Sequence, residues 1–222
     1  MNNNFINDNK KNNNDINNNQ EIKYDNGDRY VGQVLNGLKE GKGIIYYNDG
    51  DRYEGEFRND KAEGKGIYYN KDGSKIEGNF QNNKLQGKII INYNSEPLKG
   101  NKYIGYVTKR QKDGKGILYY TDGDIYEGDW KEGYMDGKGI FYYNDGDRYE
   151  GDFRNDKMEG KGIMYFNDGD RYEGDFKNDK IEGKGIYYYN NGDRMMGDYL
   201  NDSPKGKHVL LKKNGDVNVE NY

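Results

Sequence analysis

The 222-residue sequence has no cysteine, one histidine, one tryptophan and two prolines. Without cysteine there is no disulfide, no thiolate metal site and no sulfur nucleophile. A single histidine, His208, leaves little for imidazole metal centres or catalytic triads. Apolar residues are scarce too, at 32% against 33% charged, and the mean hydropathy is -1.34. Such a composition alone places a chain among the disordered ones, which bury too little apolar surface to offset chain entropy. No apolar run approaches the ~18 residues of a spanning helix. The N-terminus also lacks the charged-then-apolar order of a signal peptide. With 35 basic and 39 acidic side chains the net charge is -4, so no global attraction to nucleic acid or anionic lipid is expected. These absences point to a soluble, cytoplasmic, non-enzymatic protein with no cofactor and no nucleic-acid partner.

What the chain has in abundance is tyrosine, 24 residues, and glycine, 33 residues. Both are periodic. A block Tyr-x-Gly-x-aromatic, or a close variant, starts at Tyr30, Tyr53, Ile76, Tyr103, Tyr126, Tyr149, Tyr172 and Met195, in steps of 23 residues with one step of 27. Counting each block from zero, position 2 is glycine in all eight, including Gly55, Gly128, Gly151 and Gly174. Positions 11 and 12 are Gly-Lys in all eight, and position 13 is glycine except at Ile89 and His208. Residues 21–222 therefore form an array of about eight repeats, with a four-residue insertion near 95–98. Residues 1–20 are different: eleven of the twenty are asparagine, and a disordered low-complexity tail is expected.

The period inside each repeat is two. In Asp51-Arg52-Tyr53-Glu54-Gly55-Glu56-Phe57 the rings and the glycine share one side and the charges the other, as in a half-exposed strand. A second strand, such as Gly66-Ile67-Tyr68-Tyr69, is β-branched and aromatic. Arg58 to Gly64 reads as a longer polar turn, and the Asn-Asp-Gly-Asp clusters at 48–51, 144–147 and 167–170 as tight turns. Each repeat is then a hairpin. The expected fold is all-β: an elongated single-layer antiparallel meander of some 16–18 strands.

Glycine weakens a strand unless another group uses the space it leaves. In Tyr126-Glu127-Gly128-Asp129-Trp130 the missing Cβ makes room for a ring lying flat on the backbone. Tyr126, Trp130, Tyr149 and Tyr172 are accordingly expected in a repeated aromatic ladder, completed by the isoleucines of position 14 and the tyrosines of position 16. The second strand is apolar on both sides, so positions 15 and 17 form a further stripe. Tyr120, Tyr143, Phe166 and Tyr189 of that stripe are the expected partner-binding residues, since aromatic stripes are common at binding surfaces. Paired carboxylates such as Glu150/Asp152 could suggest a glycosidase. They recur in four repeats, three times beside an arginine, as a solvated charge ladder does. His208 replaces a structural glycine and reads as a capping substitution. The Gly-Lys-Gly steps lack the rest of a phosphate-binding loop.

The core Tyr-x-Gly-x-Phe/Trp, then Gly-x-Gly, then an Asp-Gly turn, at a 23-residue period, closely resembles the MORN (membrane occupation and recognition nexus) repeat. The resemblance covers roughly residues 21–219. It is fullest in repeats such as Tyr149 to Phe153 with Gly160-Lys161-Gly162, and weakest in the third and eighth. It implies a scaffold binding protein partners in a cytoskeletal or ciliary assembly, self-association through the sheet ends, or a membrane-associated module. Choline- or glucan-binding repeats would carry a tryptophan in most units, whereas this chain has Trp130 alone.

Charge by position separates scaffold from membrane binder. Positions 5 to 12 carry a net +10 over the eight repeats, against ten acids at positions 1 and 3. Lys109, Arg110, Lys112 and Lys115 make the most basic turn and would be the anionic-phospholipid site. The strand acids lie within about a Debye length, ~8–10 Å, and no amphipathic helix accompanies the lysines. The scaffold reading is favoured. The insertion Ser95-Glu96-Pro97-Leu98 predicts a bulged loop and a change of twist dividing repeats 1–3 from 4–8.

Overall fold

The computed structural model describes residues 17–222, with side chains from residue 20. The asparagine-rich stretch thus lies outside the described residues except for its last four, which begin the first strand. Among the described residues there are eighteen strands and no helix. The chain divides into two compact units, one up to Gly87 and one from Lys88.

The first unit holds β1 (Asn17–Lys23), β2 (Arg29–Leu35), β3 (Leu38–Tyr46), β4 (Arg52–Arg58), β5 (Lys61–Tyr69) and β6 (Lys75–Gln81). Each pairs antiparallel with the next. β7 (Lys84–Asn92) contains the boundary. The second unit continues through β8 (Lys102–Thr108), β9 (Gln111–Tyr119), β10 (Ile125–Lys131), β11 (Tyr134–Tyr142) and β12 (Arg148–Arg154). It ends with β13 (Lys157–Tyr165), β14 (Arg171–Lys177), β15 (Lys180–Tyr188), β16 (Arg194–Leu200), β17 (Ser203–Leu211) and β18 (Val217–Asn221). β7 to β18 again pair in chain order. The fold is the expected all-β antiparallel meander of stacked hairpins.

The turns are assigned the other way round from the sequence reading. The tight ones are two-residue links such as Asn59-Asp60, with φ of 48° and 67°, and Asn36-Gly37, with φ of 51° and 80°. Two successive positive φ values mark the mirror-image turn whose twist suits a hairpin. The Asp-Gly clusters form longer loops, closed by pairs such as Tyr143 N–H to the Asp147 carbonyl at 3.0 Å. In the hairpins of repeats 1, 4, 5, 6 and 7 the nine-residue strand carries a bulge opposite position 3; between Gly128 and Trp130 the partner strand advances from Gly139 to Met135.

A two-residue turn also fixes which side chains share a face. Tyr126 lies opposite Leu118 and Phe141, both at position 15, whereas Glu127 lies opposite Ile117 and Ile140 at position 14. Positions 14 and 16 are therefore on the charged face, and positions 15 and 17 on the ladder face. The sequence reading had these two sets exchanged.

The ladder face holds the core. Tyr30, Tyr103, Tyr126, Tyr149 and Tyr172 are fully buried. Each ring lies over two facing glycines; a Cβ on Gly139 would stand 2.5 Å from the Tyr126 ring. The Tyr126 hydroxyl donates to the Asp129 carbonyl at 2.9 Å, and Tyr149 to Asp152 at 3.0 Å, where the bulge frees that carbonyl. Position-4 rings meet these tyrosines edge-on. In the second unit the contacts run Tyr103–Trp130–Tyr126–Phe153–Tyr149–Phe176–Tyr172–Tyr199, with centroids 4.8–5.5 Å apart.

The insertion closes on itself: Leu98 N–H donates to the Ser95 carbonyl at 3.1 Å and Gly100 N–H to the Tyr93 carbonyl at 2.9 Å. The boundary between the two units precedes it, inside the third repeat.

Candidate binding surface

The charged face of the second unit forms a groove of about 1440 Å³, lined from Lys88 to Asp198. Its floor is the backbone of the facing glycines, such as Gly128 with Gly116 and Gly139, whose Cβ positions point to the other face, under the Tyr126 ring. Two rows of side chains border it across the strands. One alternates isoleucine and acid: Ile117, Glu127, Ile140, Glu150, Ile163, Glu173 and Ile186. The other alternates the lysines of position 12 with the aspartates of position 3.

Three lysines of that row are neutralised within it. Lys115 pairs with Asp129 at 2.7 Å, Lys138 with Asp152 at 2.7 Å and Lys161 with Asp175 at 2.6 Å, each lysine reaching into the next repeat. The same aspartates use their second oxygen to accept a backbone N–H from the bulge: Lys138 to Asp129 at 3.1 Å and Lys161 to Asp152 at 3.2 Å. Asp129 and Asp152 thus join two repeats and cap an N–H that the ladder leaves unpaired.

The glutamate row is different. Glu150 and Glu173 are about half exposed and meet Arg148 and Arg171 only at 3.8 and 3.7 Å. Both arginines lie over tyrosine rings, Arg148 over Tyr165 at 4.2 Å and Arg171 over Tyr188 at 4.1 Å. Glu127 has Ile125 where the others have arginine, and is exposed. In these carboxylate pairs the aspartate is held by lysine and backbone N–H, and the glutamate stands about half exposed or more. Among the described residues no group of three His, Asp or Glu side chains is arranged to hold a metal ion.

The expected aromatic stripe lies on the opposite face. Tyr120, Tyr143, Phe166 and Tyr189 are half-buried. They pack beside the ladder, Tyr120 on Phe141 at 5.9 Å, Tyr143 on Phe141 at 4.6 Å, Phe166 on Tyr187 at 5.7 Å and Tyr189 on Tyr187 at 4.8 Å. Burial pushes the Tyr120 and Tyr143 hydroxyls up to about 12. These four residues stand together, as rings flanking the core.

The basic turn does not gather into one cluster. Lys109 and Arg110 form the tight turn itself, exposed, with φ of 50° and 68°. Lys112 folds back over the Trp130 ring, 3.8 Å from its centroid, and burial lowers its ammonium to about 8. Lys115 points into the groove and is paired with Asp129. Trp130, expected inside the ladder, is 3% exposed and donates its Nε1–H to the Gly116 carbonyl at 3.2 Å.

His208 is fully buried. Its ring stands where a position-0 tyrosine would lie, so that a Cβ on Gly197 would meet it at 2.3 Å. It packs edge-on against Tyr199 and Tyr222, each at 5.2 Å. Met195 has replaced that tyrosine. Repeat 3 makes the same double exchange, Ile76 for tyrosine and Ile89 for glycine.

The MORN repeat family matches six 23-residue segments, 30–52, 53–75, 103–125, 126–148, 149–171 and 172–194, which together exceed half of the chain. The chain belongs to the MORN repeat family. The third and eighth repeats, where the tyrosine–glycine device is altered, are the two left unmatched. No curated protein sequence matches the chain. Among solved structures it is similar to the TCP domain of SAS-4 (dCPAP) from Drosophila melanogaster, solved with a proline-rich motif of Ana2. There the identity is 13%, the coverage 92% of this chain and 90% of that one, and the TM-score 0.42. It is also similar to the TCP10 domain of CPAP from Danio rerio, solved with a peptide of STIL, at 16% identity, 91% and 99% coverage and a TM-score of 0.45. Those scores fall short of a shared fold.

Proposed function

We propose that this chain is a non-catalytic scaffold that binds protein partners through the groove face of its second unit, within a cytoskeletal or ciliary assembly. Membership of a repeat family whose units present one surface many times supports a binding role. The observation that carries the reading is the groove itself: Ile117, Ile140, Ile163 and Ile186 recur at one position along it, over a floor of bare glycine backbone. Repeated weak contacts on one continuous partner add into firm binding. Asp129, Asp152 and Asp175 on this face are committed to lysine and backbone N–H groups, and His208 to packing, which fits a surface that holds a partner without transforming it.

The test is capture from the native source with three full-length proteins: wild type, Ile140→Asp/Ile163→Asp in the groove, and Lys109→Glu/Arg110→Glu on the tight turn. The groove variant should lose the captured proteins while keeping its β circular dichroism, and the turn variant should retain them. Flotation with phosphatidylserine vesicles runs alongside. Vesicle binding by wild type, lost only in the turn variant, would replace the scaffold reading by a phospholipid one.

A further inference from the structure

The groove has a pitch, and the pitch limits what can lie along it. Each repeat contributes two strands, so its features recur every ~9.4–9.8 Å across the sheet. At position 1, five successive repeats present Ile104, Glu127, Glu150, Glu173 and Met196, all lining the groove. The acids are consecutive, and an apolar side chain stands in their place at either end. Lys115, Lys138 and Lys161 are paired with aspartate at 2.6–2.7 Å, whereas Glu127 is exposed beside Ile125 and Glu150 and Glu173 have only an arginine at 3.7–3.8 Å, so these three glutamates are acids of the groove open to a cationic ligand.

A polyproline II helix has three residues per turn and a rise of ~3.1 Å, about 9.3 Å per turn. Over the four intervals from Ile104 to Met196 it stays within about 1–2 Å of the groove's spacing. An α-helix repeats a face every seven residues, ~10.5 Å, and drifts by roughly 4 Å over the same four intervals. An extended strand turns alternate residues to opposite sides, so every third residue would face away at each second step.

We propose, on the basis of the scaffold reading above, that the groove binds a basic segment in the polyproline II conformation. Such a segment places a lysine or arginine at every third position against Glu173, Glu150 and Glu127, with an apolar residue one turn beyond at each end. The intervening residues lie over the glycine floor between the isoleucines, which favours proline and other residues that need no hydrogen-bond partner there. One turn of ligand answers one repeat of protein. The full code spans about 13 residues.

Two synthetic 13-residue peptides of identical composition test this against the full chain by isothermal titration calorimetry. One is LPPKPPKPPKPPL, with lysine at every third position. The other is LPKPPPKPPPKPL, with lysine at every fourth. The first should bind, the second at least ~10-fold more weakly, and both more weakly as salt rises. Glu127→Gln/Glu150→Gln/Glu173→Gln should reduce binding of the first peptide at least ~10-fold with the thermal midpoint retained. Equal affinity for the two peptides, undiminished binding by the triple variant, or no binding of the period-three peptide would each overturn the proposal. If the peptides fail while the groove variant still loses its captured proteins, the polyproline inference falls and the scaffold reading stands.

Discussion

A tyrosine and two glycines act as one device in this protein, because the ring occupies the space of two missing side chains and its hydroxyl satisfies the carbonyl freed by the bulge. That coupling explains why the chain departs from tyrosine and from the second glycine together. His208→Gly alone should leave a void above Gly197 and cost about 2–4 kcal/mol. Met195→Tyr alone should drive a ring into the buried histidine and cost about 1–3 kcal/mol. Combined, they restore the arrangement of Tyr172 over Gly174 and Gly185, and urea unfolding of the four proteins should show a double variant close to wild type. Costs that simply add would contradict the device.

Lys112 is the second residue-scale case. Its position holds Met135 and Met158 in the next two repeats. In the first repeat the equivalent Lys39 has Asp60 at 3.4 Å. The residue corresponding to Asp60 for Lys112 is Gly133, which offers no carboxylate. Its folded value of about 8 lies below the ordinary ~10.4. Between those values the unfolded chain binds more protons, so stability contributed through this amine rises as pH goes from about 8 to about 10. Lys112→Met should remove that rise. It should also raise the thermal midpoint at pH 7 by about 2–4 °C, as relief of about 1 kcal/mol does in a chain of this size. Thermal melts at pH 7, 8 and 9.5 check both.

At the scale of the element, the hairpin turn decided what could be read from the sequence. The repeats, the strand alternation and the fit of Tyr126 over Gly128 followed from spacing and from the absence of a Cβ. The assignment of faces did not follow from even numbering, because a two-residue turn pairs even positions with odd ones. Asn36-Gly37 carried that information, being the dipeptide that most favours such a turn. The two-residue register change between Gly128 and Trp130 leaves no comparable mark in the sequence beyond the glycine of position 11, which has φ of 116° at Gly137. The groove escapes a reading by even numbering for the same reason, since that numbering puts its isoleucines in the ladder.

The turn itself makes a prediction. Lys109 and Arg110 occupy left-handed backbone positions that cost long L-residues about 1 kcal/mol each. Lys109→Asn/Arg110→Gly should therefore raise the urea midpoint, by about 1 kcal/mol of stability in all. An unchanged or lowered midpoint would show that these side chains make contacts elsewhere that compensate for their backbone.

At the scale of the whole molecule, each hairpin contributes one unit to a ladder on one face and one unit to a charged, glycine-floored surface on the other. The ladder of the second unit gives it a core that needs few aliphatic residues, which is how a chain with 32% apolar residues folds. The acidic turns help hold neighbouring repeats in step: Asp147 accepts from Asn167 N–H at 2.9 Å and Asp179 from Met158 N–H at 2.8 Å. Charge in these repeats is largely spent on stacking, and the open glutamates of the groove are the exception.

The division of labour between the two faces is the central claim, and one comparison of thermal melts tests it directly. In one variant Tyr120, Tyr143, Phe166 and Tyr189 are all changed to Thr; in the other Ile117, Ile140, Ile163 and Ile186 are. Both substitutions keep or raise strand propensity at the backbone, so the difference reports packing. The ring variant should lose several kcal/mol and melt well below wild type, since each half-buried ring gives up about 1–2 kcal/mol. The isoleucine variant, which gives up smaller side chains from a similar half-burial, should lose less and melt clearly above the ring variant. A ring variant that melts like wild type, with an isoleucine variant that does not fold, would contradict the account.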